Sequence, residues 1–395
     1  MARNGVAAAT ARPPFLRDVR VLRVLGQALF VLGLFLVARE IYLNLRFGLD
    51  RQGLDLGFDF LRQRAGFGLK EGISYHPNQS YIRAIQVGLV NTIRAAAAGI
   101  VVASALGLVL GVARLSPNWL VRKIAQVYVE AFRNTPLAVQ IFFWYFGVVL
   151  LLPTIHGGLS VGNAAFLSNR GAAIPWPRGG ETVGTWGLFL LGGLVAAATV
   201  RWWRGRVNER TGRPGRRFLW ASATFLSVAA AGYVIAGDPI RVDVPTFTGR
   251  GYDGGFQLSP EFAALLLGLV VYTGAFIAEI IRGSILAVSK GQKEAAGALG
   301  LTPTQQLRFV VLPQAMRIAI PPLNSQYLNL TKNSSLAVLI GYPDLVFVSR
   351  TIANQAGRAT QVLLVAMGTY LVLSLTISFV MNLVNRAVAR KGGQR

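Results

Sequence analysis

The chain has no cysteine, so disulfides, thiolate metal sites and a cysteine nucleophile are excluded. It has two histidines, His76 and His156, both in loops between apolar runs, which leaves no basis for a histidine metal cluster. Charge is scarce as well. Only 14% of 395 residues are Asp, Glu, Lys or Arg, against roughly 25% in soluble domains. Acidic residues are the scarcest, 16 against 40 Lys and Arg, for a formal charge of +24. No lysine sits in a Gly-x-x-x-x-Gly-Lys-Ser/Thr phosphate loop, so the chain carries no ATP cradle of its own.

What is abundant is apolar: 53% of residues. A bilayer core of about 30 Å takes roughly 20 helical residues to cross, and all backbone polar groups there must be satisfied within the segment. Eight stretches meet that need, near 22–38, 87–112, 134–152, 185–200, 218–236, 262–281, 318–340 and 361–384. The fourth is short and the seventh unusually polar. The basic residues gather between these runs, as in cytoplasmic membrane loops. That placement argues against nucleic acid as a partner.

With the N-terminus in the cytoplasm, the inside segments hold 23 Lys and Arg and the outside segments 13, while acidic residues run 3 inside to 11 outside. Both termini then lie in the cytoplasm, and the basic stretch from Arg201 to Arg217 is the strongest anchor. Segment 24–37 follows five arginines, as a signal-peptide core can, but no small-x-small cleavage site follows. The expectation is an uncleaved first helix.

The loop after the sixth run carries helix punctuation. Ser289 with Gln292 reads as a capping box, Gly300 as a left-handed stop, and Thr302-Pro303 with Gln305 as a second start. Two short helices with a sharp turn and several small residues are expected on the cytoplasmic face. Elsewhere, Glu130 with Arg133 and Glu279 with Arg282 are i,i+3 neighbours, candidates for ion pairs or an inner gate. Arg94 can snorkel or face a pathway. Ser325, Gln326, Asn329, Lys332 and Asn333 share one helical stripe, too polar for lipid. Such a stripe serves interhelical hydrogen bonding or lines a substrate pathway. Gly107-x-x-x-Gly111 reads as close helix packing.

Glu294-Ala295-Ala296, Gly300 and the later Val310-Val311-Leu312-Pro313 resemble the EAA loop of binding-protein-dependent ABC importer permeases. Further likeness to the polar amino-acid branch lies in Arg133-Asn134-Thr135-Pro136-Leu137-Ala138-Val139-Gln140, although Asn134 stands where glycine is commoner. Phe142 to Gly147, Gly274 to Gly283 and Leu312 to Pro322 continue it. The likeness covers about 85–154 and 258–390. Segment 155–257, an inserted helical pair, and the extra first helix resemble the larger permeases of general L-amino-acid and glutamate, glutamine and aspartate systems.

The resemblance implies an all-α polytopic fold of about eight transmembrane helices: a type I ABC importer permease core, an N-terminal helix and an inserted pair. The implied organisation is 1–84 tail, first helix and periplasmic segment; 85–154 first core part; 155–257 insertion; 258–390 second core part with the coupling loop; 391–395 tail. It further implies a bacterial inner-membrane location and the import of amino acids. The partners would be ABC ATPase subunits using ATP and Mg²⁺, a second related permease as heterodimer, a periplasmic amino-acid-binding protein and the lipid bilayer. No cofactor is expected in this chain, nor catalysis. Gly291, Glu294, Ala295, Ala296 and Gly300 would couple to the ATPase. An ATPase-independent secondary transporter or channel is the alternative, since proline-interrupted polar helices suit that class too. A membrane scaffold without transport fits the buried polar stripe poorly.

Overall fold

The computed structural model describes residues 19–51, 57–162, 164–212, 215–249 and 251–391. Helix α1 (Val19–Arg51) leads, with its side chains exposed almost throughout. A single 3₁₀ turn (Asp59–Arg62) and an extended segment then return the chain to α2 (Tyr81–Ala113). An antiparallel bridge between Arg64 and Ser80 pins that return, and Ser80 caps α2 by accepting from the Arg83 amide at 3.4 Å.

The core is built on α2 and α7 (Pro260–Leu286), which pack along most of their lengths. Glycines permit the approach. A Cβ at Gly107 would stand 2.5 Å from Ile277 Cγ2 and 3.0 Å from the Gly274 carbonyl oxygen, and one at Gly111 2.8 Å from the Ala278 carbonyl oxygen. The Gly-x-x-x-Gly spacing therefore does bring two backbones together. Helices α10 (Leu312–Asn333), α11 (Leu345–Ala356) and α12 (Ala359–Lys391) close around this pair. Ile141, Leu265, Leu269, Leu323, Leu330 and Tyr342 fill the centre.

The expected third span, 134–152, is seen as the single helical stretch Leu137–Val149, shorter than the roughly 20 residues a full crossing takes. Thr135-Pro136 breaks the chain just before it, because proline cannot donate to the preceding turn and pushes the residue before it into extended backbone, seen at Thr135 (φ −98°, ψ 127°). Before the break runs the amphipathic α3 (Trp119–Asn134); after it comes α4 (Leu137–Phe142) with a π turn over Phe143–Val149. Among the described residues, six helices are long and apolar enough to cross a bilayer, plus the bent pair Pro303–Ile340 and Leu345–Ala356, so the structure does not reproduce a count of eight.

Segment 155–257 is not purely helical. Helices α5 (Val183–Thr211) and α6 (Arg217–Ala236) form an antiparallel hairpin, with Trp186 Nε1 donating to the Ala229 carbonyl at 3.0 Å. Short strands flank it: β1 (Leu159–Val161), β2 (Ala165–Ser168), β3 (Gly171–Ile174) and β4 (Trp176–Gly179) before, and β5 (Ile240–Asp243), β6 (Thr246–Phe247), β7 (Tyr252–Asp253) and β8 (Phe256–Leu258) after. They pair antiparallel in the order β1-β2-β3-β8, with β4-β5 and β6-β7 as separate ribbons. The β3–β8 register, Ala172 opposite Leu258, ties the insertion to the start of α7.

Candidate functional site

Four residues past α7 the chain starts α8 (Lys290–Ala298), and a second turn, α9 (Pro303–Gln306), follows. Ser289 occupies the N-cap but makes no capping bond with its hydroxyl. Gln292, the expected reciprocal partner, instead accepts from Gln314 Nε2 at 3.3 Å. The second box does form: the Gln305 amide donates to Thr302 Oγ1 at 3.4 Å, and the Thr302 amide to Gln305 Oε1 at 2.9 Å. Between the helices lies a Schellman turn. The Gly300 amide donates to the Gly297 carbonyl at 2.9 Å and the Leu301 amide to the Ala296 carbonyl at 3.2 Å, with Gly300 at φ +74°.

Gly291, Glu294 and Ala295 fall at i, i+3 and i+4 and are exposed, whereas Ala296 on the opposite side is buried. Leu299 at the tip is 81% exposed, and Gly300 beside it is exposed too. A cluster of Val288, Val311 and Ala315, with Ile285 against it, fastens this helical corner to α7 and α10. The structure thus presents a small-residue face and an apolar tip, rigidly mounted.

At the same end of α7, Glu279 accepts from Arg282 Nη2 at 2.5 Å and from Arg282 Nε at 3.3 Å. Arg114, just past α2, is its second partner. Sequence spacing does not reveal Arg114, which is 165 positions away. The expected pair of Glu130 and Arg133 does not form. Glu130 is exposed and accepts from Gln126 at 2.7 Å, while the Arg133 guanidinium lies over the Phe276 ring, 5.1 Å from its centroid. Exposure explains this: a solvated i,i+3 pair gains too little to outcompete a local amide or a π face.

On α10 the polar stripe stays together. Ser325, Asn329 and Lys332 are exposed, Gln326 and Asn333 half-buried, and among the described residues none makes a side-chain hydrogen bond within the chain. The opposite face, Ala319, Leu323 and Leu330, is buried. Pro321 and Pro322 inside α10 also free the carbonyls of Arg317 and Ile318. A face this polar cannot stand against hydrocarbon.

Across the core sits a polar knot with no local sequence signal. Asn91 Nδ2 donates to the carbonyls of Glu71 at 3.1 Å and Pro343 at 2.9 Å, and Thr92 Oγ1 accepts from the Leu345 amide at 3.0 Å. Ser259, the N-cap of α7, donates to Glu71 Oε2 at 2.5 Å. Burial raises the Glu71 carboxyl above its ordinary value, opposed by this bond and by Arg94, whose guanidinium lies 5.9 Å from the Phe262 ring centroid.

Residues 103–391 match the family model described as binding-protein-dependent transport system inner membrane component. A putative amino-acid ABC transporter permease of Escherichia coli (strain K12), YhdX, is 43% identical over 367 residues, covering 92% of this chain and 93% of that protein. The general L-amino acid transport system permease AapQ of Rhizobium johnstonii is 43% identical over 347 residues, covering 88% and 87%. The glutamate/glutamine/aspartate/asparagine transport system permease BztB of Rhodobacter capsulatus is 37% identical over 411 residues, covering 94% and 93%. A crystal structure of an amino acid ABC transporter with histidines aligns with TM-score 0.47 and 20% identity, covering 78% of this chain and 95% of that one. This multi-pass membrane protein therefore belongs to the binding-protein-dependent transport-system inner-membrane components, a transport subunit that works with an ATPase and a solute-binding protein.

Proposed function

We propose that this chain is one of two related permeases in an ATP-driven importer of amino acids, polar and acidic L-amino acids such as glutamate, glutamine and aspartate or a broader range. It sits in a bacterial inner membrane with both termini cytoplasmic. The observation that carries the coupling role is the exposed α8 face of Gly291, Glu294 and Ala295 beside the bare tip at Leu299. Small residues let a partner groove approach closely, and an apolar tip in water calls for a cover. Glu294 offers a carboxylate on that face, while buried Ala296 and the left-handed Gly300 keep the corner shaped for an ATPase that uses ATP and Mg²⁺. Relatives of similar full length are named for amino-acid transport, which supports the substrate class.

Substrate handling is assigned to the α10 stripe, facing its counterpart in the second permease. A zwitterion in low dielectric needs partners for both charges. Lys332 can meet the carboxylate, while Asn329, Gln326 and Ser325 accept from the ammonium. Glu279 with Arg114 and Arg282 braces the inner ends of α2 and α7. The decisive experiment is reconstitution with the ATPase, second permease and binding protein. Uptake of labelled amino acid should require ATP and be lost in Glu294→Lys without loss of insertion. Uptake driven by an ion gradient in the absence of ATP would refute the reading.

A further inference from the structure

The α5–α6 hairpin ends in a feature that amino-acid coupling and transport do not use. Its apolar stretch over 183–200 is 18 residues, about 27 Å of helix, and the chain then turns at once to Arg201-Trp202-Trp203-Arg204-Gly205-Arg206. Opposite, α6 starts with Arg217, Phe218, Leu219 and Trp220. Between the two helices opens a cleft of about 470 Å³ lined by Arg201, Trp202, Gly205, Arg206, Glu209 and Arg217. Three guanidinium groups share it with one carboxylate. Among the described residues none of these arginines has a carboxylate oxygen within 4.0 Å.

Aromatic rings hold Arg206 of these three, and Arg204 beside the cleft, in place. Arg206 lies 3.9 Å from the Trp202 ring centroid, and Arg204 lies between Trp203 at 5.5 Å and Trp220 at 4.6 Å. Gly205 keeps the floor open: a Cβ there would stand 4.0 Å from Arg217 Nη1. Guanidinium groups that are stacked and unpaired retain their forked donors for a tetrahedral anion.

The geometry points to a binding site for the phosphate headgroup of an anionic phospholipid. Two features select a lipid over a free phosphate or an acidic protein. The indoles of Trp202, Trp203 and Trp220 are more than half exposed around the cleft, as amphipathic rings are at a membrane interface. An uncovered apolar wall also runs from the cleft along the hairpin through Leu194, Val195, Leu191 and Leu188, each at least 56% exposed. The headgroup takes the cleft and the acyl chains take the wall. Soluble anions have no use for the wall, and a soluble partner would have to cover it inside the hydrocarbon.

The test uses the complete transporter in phosphatidylcholine vesicles, titrated with dibrominated phosphatidylglycerol or dibrominated phosphatidylcholine while indole fluorescence is followed. Phosphatidylglycerol should quench at much lower mole fraction. Each surface arginine is worth about fivefold in affinity for anionic lipid, so Arg201→Gln with Arg206→Gln and Arg217→Gln should weaken that preference roughly a hundredfold. Trp202→Phe should shrink the selective signal. If the triple variant fails to insert, Arg206→Gln alone should lose about fivefold and Arg206→Lys should keep most of the preference. Equal quenching by the two lipids, or a preference untouched in these variants, overturns the site. Relief of quenching by inorganic phosphate as efficient as by unbrominated phosphatidylglycerol would make it a soluble-anion site. Disulfide or crosslinker capture of an ATPase subunit by Gly205→Cys would give the cleft to protein. None of these outcomes depends on the transported solute, so failure here leaves the importer reading intact.

Discussion

Replacing Gly300 tests whether the helical corner transmits force, because the cost there is purely conformational. Its φ is +74°, and nothing lies within 4 Å of where a Cβ would stand. An alanine therefore meets no neighbour but bears the left-handed penalty of about 1–2 kcal/mol. Escaping that backbone would release the two closing hydrogen bonds from Gly300 and Leu301, together worth about 1–3 kcal/mol. The two costs are comparable, so the turn in Gly300→Ala becomes an equilibrium, shifted about five- to thirtyfold against the native corner. Asparagine tolerates the left-handed region and should fall between glycine and alanine; valine, stiff at χ1, should abolish transport. Gly297→Ala is the control: it has no positive φ, and its nearest neighbour is the flexible end of Gln306 at 3.5 Å. The assay is the ratio of amino-acid uptake to binding-protein-stimulated ATP hydrolysis in proteoliposomes. Coupling should decline in the order Gly, Asn, Ala, Val with insertion unchanged. Wild-type coupling in Gly300→Val would refute the reasoning.

Lys332→Met and Asn329→Leu should each slow uptake by roughly ten- to hundredfold at normal expression, the worth of a charged hydrogen bond; unchanged uptake kinetics would make the stripe a packing surface. Glu279→Gln leaves Arg114 and Arg282 without their carboxylate and should destabilise the protein by about 1–3 kcal/mol in a detergent melt. Arg114→Gln should cost less, because Arg282 still pairs; an equal loss would contradict the shared-carboxylate geometry. Single cysteines in this cysteine-free chain report topology, with impermeant reagent on intact cells reaching Gly251→Cys and sparing Gly205→Cys. Gly251 suits the outer position because nothing lies within 4 Å of where a Cβ would stand. Labelling of Gly205→Cys would reverse the hairpin.

Long apolar runs were legible because crossing hydrocarbon demands unbroken helix, a constraint written locally. The Schellman turn at Gly300 and the box at Thr302 were legible for the same reason, each closing within six residues. Ser289 shows the limit: its partner Gln292 was claimed by Gln314, 22 positions on, which no local pattern encodes. Arg114 on Glu279 and Asn91 on Pro343 are likewise tertiary choices. Glu130 and Arg133 had the spacing of a pair but too much solvent to need one. The strands around α5 and α6 are two to four residues each, too short to display a period of two, and β3–β8 and β4–β5 pair across about 61 to 86 positions, which no local pattern encodes. At Thr135-Pro136 the start of the apolar run was legible, and the proline places its first helical residue at Leu137.

The close seating of Gly107 and Gly111 against α7 has a mechanical consequence. Two backbones seated this closely, with the β-branched Ile277 and Ile281 packed directly onto the glycines, bend and rotate as one bar. The α8 corner is bolted to the end of that bar, four residues past Leu286. A helix of 27 residues is about 40 Å long, so a tilt of about 10° imposed at the corner sweeps the far end through roughly 7 Å. A small rotation delivered at one surface of the membrane thus becomes, by leverage alone, a displacement as wide as an amino acid at the other.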